Sequence, residues 1–177
     1  MDFSQSLERL RMVVTASDGS VAIRHRDGIP EIELDDDCLE IHTEKTLAPV
    51  LTELINSYHQ AYNRAQQMIL ERANEGVPLP DFADTPRGGR IAEYRLELES
   101  LSATGCSARG LVRIDQCPPL STVIAPRAIS LTGFEGLTAE LNVAYRDFLR
   151  NLTYARSKIY AQYFWDGSEY SLGEHNE

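Results

Sequence analysis

Residues 12–17 and 20–26 are β-branched stretches, and residues 29–34 alternate between apolar and polar positions, a pattern that predicts three strands. Asp18-Gly19 and Asp27-Gly28 fall between them as turn pairs, so the strands form a meander. The period then changes. From residue 43 to about residue 74, Leu47, Leu51, Leu54, Ile55, Tyr58, Tyr62, Ala65 and Ile69 recur at spacings of three and four, the mark of a long amphipathic helix. Pro49 lies close enough to the start of that helix to be tolerated in its first turn or so. Residues 74–90 hold three prolines and three glycines without a sustained period, which reads as a connection. Beyond it, residues 91–99 can be helical. Strands are expected again over 98–104, 110–115 and 120–124, with turns at 104–109 and at Cys117-Pro118-Pro119. A second long helix is expected over 134–164.

The two long helices superpose at an offset of 90. Leu47 matches Leu137, Leu51 matches Leu141, Ile55 matches Tyr145 and Tyr58 matches Phe148; Tyr62, Ala65 and Ile69 fall on Leu152, Ala155 and Ile159. The strands align at 90 or 91, with Val21 and Ile23 on Val112 and Ile114, Leu34 on Ile124, and Leu39 on Ile129; a turn one residue longer in one copy would account for the slip. The expected fold class is therefore α+β. Residues 1–76 form one unit, 77–90 a linker, 91–165 a second unit and 166–177 an acidic tail. A three-stranded sheet with one amphipathic helix exposes more apolar surface than it covers alone, and an equivalent partner would bury it.

Composition narrows the function. A hydrophobic fraction of 42% with 25% charged residues belongs to a folded chain. No run approaches the roughly 18–20 apolar residues of a membrane span, and the first residues lack the basic start and apolar core of a signal peptide, so a cytoplasmic location is the default expectation. Cys38, Cys106 and Cys117 form neither a CxxC pair nor a zinc set and are expected as buried or semi-buried thiols. The net charge is −10, unevenly spread: residues 1–86 carry 7 basic and 16 acidic residues, 87–160 carry 10 and 7, and 161–177 carry none and 4. An overall negative charge repels a phosphate backbone unless positive charge is concentrated locally.

The strings Val14-Thr-Ala-Ser-Asp-Gly-Ser-Val-Ala-Ile23 and Leu101-Ser-Ala-Thr-Gly-Cys-Ser-Ala-Arg-Gly-Leu-Val-Arg-Ile114, each set between a short helix and a long one, resemble the YbaB/EbfC nucleoid-associated family, particularly its actinobacterial members. Ala125-Pro126-Arg127-Ala128-Ile129 is similar to that family's Asp-Pro-x-x-Leu segment, and Asp35-Asp36-Asp37-Cys38-Leu39 holds the equivalent place. The resemblance covers most of both halves. It implies two tandem units, each a short helix, a three-stranded antiparallel meander and a long helix, fused as an intramolecular pseudo-dimer. It also implies nucleoid-associated DNA binding without enzymatic activity.

Arg146, Arg150, Arg156 and Lys158 on the second long helix are the phosphate-contact candidates, with Arg146 and Arg150 on one face. The acidic first half and tail limit how many phosphates they could neutralise, so DNA binding is expected to be weak and salt-dependent. The same arginines could instead be a solvated face that pairs with Asp147 and its neighbours. The rival function is an acidic protein-interaction module that kept the fold and lost DNA binding. Tyr160, Tyr163, Phe164 and Trp165 could dock such a partner or cap the core. Trp165-Asp166-Gly167 and residues 170–174 also spell the WxG and YxxxE strings of type VII secretion substrates, a minor reading in which the chain is exported. Further homodimerisation stays open. Asp35, Asp36 and Asp37 lack the spacing of a calcium loop and are expected in a turn and helix cap, and no metal, cofactor or catalytic constellation is expected among the four scattered histidines.

Overall fold

In the computed structural model, residues 3–73, 86–117 and 119–164 are described. The chain is mixed helix and strand: α1 (Phe3–Glu8), β1 (Met12–Thr15), β2 (Val21–Arg26), β3 (Ile29–Leu34), α2 (Cys38–Ile41), α3 (Glu44–Ala73), α4 (Pro86–Glu99), β4 (Ala103–Cys106), β5 (Val112–Gln116), β6 (Leu120–Ile124) and α5 (Ala128–Phe164). Two separate antiparallel sheets result, β1-β2-β3 and β4-β5-β6.

Register follows the buried positions. Val21 pairs with Leu34 and Ile23 with Ile32, while Val112 pairs with Ile124 and Ile114 with Thr122, so the same places face the core in both sheets. The change of offset from 91 to 90 lies inside the second hairpin of each meander. Six pairs around Asp27-Gly28 in the first sheet become five pairs around residues 117–119 in the second. Asp27 and Gly28 both have positive φ, 52° and 78°, as a two-residue turn matched to strand twist requires. Pro30 tolerates its place in β3 because its missing N–H would face the sheet's outer edge, away from β2.

The helices read from the apolar spacing are present, whereas α4, β4 and α5 depart from the expected bounds. Of the three cysteines expected to be buried or half-buried, Cys38 is buried but Cys106 and Cys117, at the end of β4 and after β5, are exposed. The helix α4 begins at Pro86, so residues 86–90 belong to it and not to a connection. Strand β4 starts at Ala103 and runs to Cys106, into the residues expected to turn. Pro49 sits in the second turn of α3, close to the start of the helix as expected. Gly133, at φ 66° and ψ −171°, breaks α5 into a short piece and the long helix expected from residue 134. The short piece matches α2 at an offset of 90. Asp35 accepts from the Asp37 amide at 3.3 Å, in keeping with a turn, whereas Asp37 precedes α2 without a side-chain capping bond.

One apolar core is shared by the two halves. Leu47, Leu51, Leu54, Ile55 and Tyr58 of α3 and Leu137, Leu141, Ala144, Tyr145, Phe148 and Leu152 of α5 are buried together with Val21, Ile23, Ile32, Val112 and Ile114. Each valine, leucine, isoleucine or phenylalanine among them contributes about 1.5–3 kcal/mol by leaving water. Helix α3 packs on β1 and β2 and reaches β6; α5 packs on β4 and β5 and reaches β3. No helix among the described residues is long and apolar enough to cross a membrane.

Candidate functional site

Arg146 and Arg150 stand one turn apart on α5 and line a shallow depression with Cys106, Ala108, Val143 and Asp147. The helix supplies their common face, and a local carboxylate balances the charge of Arg150 but not that of Arg146. The Arg146 Nε donates to the Asn142 carbonyl at 3.2 Å, and the Arg150 guanidinium is paired with Asp147. Asp147 is itself committed, because its other oxygen accepts from the Cys106 amide at 3.0 Å.

The remaining cations do not join this pair. At about 100° per residue, Arg156 and Lys158 lie roughly 160° apart around the helix axis. Lys158 rests over the Tyr154 ring at 5.0 Å, a cation–π contact, and the Arg156 charge is felt by His59 on α3. Arg109 pairs with Glu140 and Arg113 with Asp115, each at 2.9 Å or less. Thus two of the four phosphate-contact candidates converge and two do not.

The aromatic end of α5 packs against α4. Tyr160, Tyr163 and Phe164 surround Tyr94 with ring centroids 6.3, 6.0 and 5.2 Å away, edge to face. A hydrogen bond to Glu97 raises the Tyr163 phenol above its ordinary pKa, aided by slight desolvation and the charges of Glu97 and Glu93. Trp165, the linker up to residue 85 and the acidic tail lie outside the described residues.

Three features escaped the sequence reading. The first is a polar seam where α3 meets α5. His25 Nδ1 and the Tyr58 hydroxyl share a hydrogen bond at 2.6 Å, and His59 stacks on Tyr145 and Phe148 at 6.5 and 5.9 Å. Desolvation, with a smaller push from Arg156, holds His59 down at a pKa of about 4, and burial lowers His25 as well. The second is a serine, a histidine and an aspartate brought together at the β1–β2 turn. Ser20 Oγ donates to Asp18 at 2.6 Å, while His42 Nε2 lies 3.0 Å from Asp18 and 2.9 Å from Ser20. Both partners meet the same ring nitrogen, and Ser20 is 2% exposed, so the hydroxyl is a turn tie and presents no nucleophile to solvent.

The third is a basic corner. Arg11, Arg24 and Arg26 line a depression with Met12, Val13, His25 and Asp27. Summing charge over the whole first half concealed it, although Arg24 and Arg26 share one parity in β2 and Arg11 shares it with Val13 and Thr15 in β1.

No family model matches the chain, no curated protein matches it, and no solved structure matches it.

Proposed function

We propose that the chain is a non-enzymatic binding scaffold, a fused pair of YbaB/EbfC-like units forming an intramolecular pseudo-dimer, whose partner is a protein. The observation that carries the architecture is a pair of contacts at matching positions. Thr52 Oγ accepts from the Thr122 amide at 2.9 Å, and 90 residues on, Asn142 Oδ1 accepts from the Ile32 amide at 2.8 Å. Each long helix thereby ties the edge of the other half's sheet, as the two subunits of an isologous dimer would.

The protein partner is favoured by the net charge of −10 and by the scatter of the α5 cations, since Arg150 is paired with Asp147 while Arg156 and Lys158 lie on other faces than Arg146. DNA binding, the activity the family resemblance implies, is the second reading, and the shared face of Arg146 and Arg150 favours it. Fluorescence anisotropy with a duplex at about 50 mM salt separates the two. The scaffold reading expects weak binding at most, with little response to Arg146→Glu plus Arg150→Glu. Tight binding that this double reversal abolishes and salt weakens steeply would overturn it in favour of DNA.

A further inference from the structure

We propose that the outer edge of β1 is a docking site for an extended peptide segment, which adds to the first sheet as a fourth strand and carries carboxylates at the end that meets Arg11 and Arg26. The proposal rests on the protein-interaction reading above and names the surface and the partner's chemistry.

The two sheets have four outer edges, and three are tied by helix side chains. At β3 the Asn142 amide both accepts from the Ile32 N–H and donates to its C=O, at 2.8 Å each. At β6 the Thr122 N–H is taken by Thr52. At β4 Asp147 accepts from the Cys106 N–H and Asn151 donates to the Thr104 C=O at 2.7 Å. Strand β1 differs. The Ala16 amide bonds to Val21, so by antiparallel alternation the peptide groups of Val13 and Thr15 point away from β2. Among the described residues no hydrogen bond reaches them, and at Thr15 the edge borders a narrow cleft shared with Val50, Glu53, Leu54 and Ser57 of α3.

Sequence explains the contrast. Gly105 lets the α5 backbone lie directly on β4, since a Cβ there would run into the Phe148 amide and the Ala144 carbonyl. The matching residue of β1 is Val14, and the residues of α3 that match Asp147 and Asn151 are Ser57 and Ala61. One copy therefore seals its first strand and the other leaves it available. An open strand edge offers main-chain hydrogen bonds to an incoming strand, and proteins ordinarily cover such edges.

Charge selects the occupant. Val13, 51% exposed, faces outward between Arg11 and Thr15, and the register that sets Met12 against His25 sets Arg11 against Arg26. Arg24 is paired with Glu33, whereas Arg11 and Arg26 have no ion-pair partner among the described residues. Asp27 is the acid in that depression. Glu33 and Glu31 of β3 stand beside Arg24, so the positive charge left for a guest lies at the Arg11 and Arg26 end of the depression, within the roughly 8 Å over which charge acts at physiological salt. An antiparallel guest would bring its C-terminal end there.

The test uses a fluorescein-labelled nine-residue peptide of alternating threonine and valine ending in three glutamates, titrated into the full chain by anisotropy. Val13→Pro removes the outward N–H and keeps the β1–β2 ladder; it is expected to weaken binding at least tenfold. Arg11→Glu plus Arg26→Glu weakens it similarly, Arg64→Glu on α3 leaves it unchanged, and bound peptide slows amide exchange at Val13 and Thr15. Absence of binding, binding indifferent to Val13→Pro, or an edge occupied by a second copy in sedimentation overturns the proposal. Those results leave the scaffold reading to the DNA titration, which fails or stands independently.

Discussion

The side-chain amide of Asn142 docks on the backbone of Ile32 as a neighbouring strand would, giving and accepting one hydrogen bond at 2.8 Å each across 110 residues of chain. Asn142 is half-buried, so deleting the amide strands two peptide groups at a packed edge. Asn142→Ala is expected to cost about 1–3 kcal/mol. Thr52→Val, which leaves the Thr122 N–H without its acceptor, costs about 1–2 kcal/mol, and Thr52→Ser restores most of it. Urea unfolding followed by circular dichroism measures both; a change under about 0.3 kcal/mol at both sites would show that these ties do not hold the halves together.

Gly105 is where α5 comes closest to β4. Gly105→Ala forces its new methyl group into the backbone of Phe148 and Ala144, atoms that have no rotamer to move into. The helix must lift off the strand, loosening Asp147 from Cys106 and Asn151 from Thr104. The expected loss is about 3 kcal/mol or more, in the range of overpacked cores. A denaturation midpoint within experimental error of the parent contradicts this placement of α5.

How much of this was legible beforehand follows from the kind of interaction. The pairing of Leu47 with Leu137 and of Tyr58 with Phe148 was readable because helical period is a property of neighbouring residues, and all four are buried. Asp27-Gly28 was readable for the same reason. The start of α4 at Pro86 was not, because Gly88 and Gly89 oppose helix locally and the packing of α4 on α5 decides the matter. Gly105 looked like a turn residue, and only its closeness to α5 explains it. For the candidate site, the shared face of Arg146 and Arg150 was legible from a spacing of four. The competing pair with Asp147 was foreseen only as an alternative, because i,i+3 and i,i+4 partners are equally available on a helix. The open β1 edge depends on which strand lies outermost and on side chains of α3 and α5 far away in sequence, so composition carried no trace of it.

His59 makes stability depend on pH. Its folded pKa of about 4 lies below the ordinary value of 6.5, so the unfolded chain takes up a proton that the folded chain refuses between those values. Stability from neutral pH is therefore lost as pH falls from about 6.5 to about 4, by roughly 3 kcal/mol for this group. His25, also lowered by burial, acts in the same direction. The second half carries Leu149 at the position matching His59, which makes His59→Leu the natural substitution. Unfolding free energies at pH 7, 6, 5 and 4.5 are expected to fall less steeply in His59→Leu than in the parent. Parallel curves would mean that His59 titrates normally in the folded chain.

The two halves share one core, and each long helix closes the other half's sheet, so they are expected to fold as one unit. Native-state amide hydrogen exchange tests it most directly, by comparing Ile23 in β2 with Ile114 in β5, both fully buried at matching positions. The two amides are expected to open with the same free energy, equal to that of global unfolding, and Asn142→Ala is expected to lower both together. Two distinct opening free energies, with Asn142→Ala lowering one alone, would contradict it.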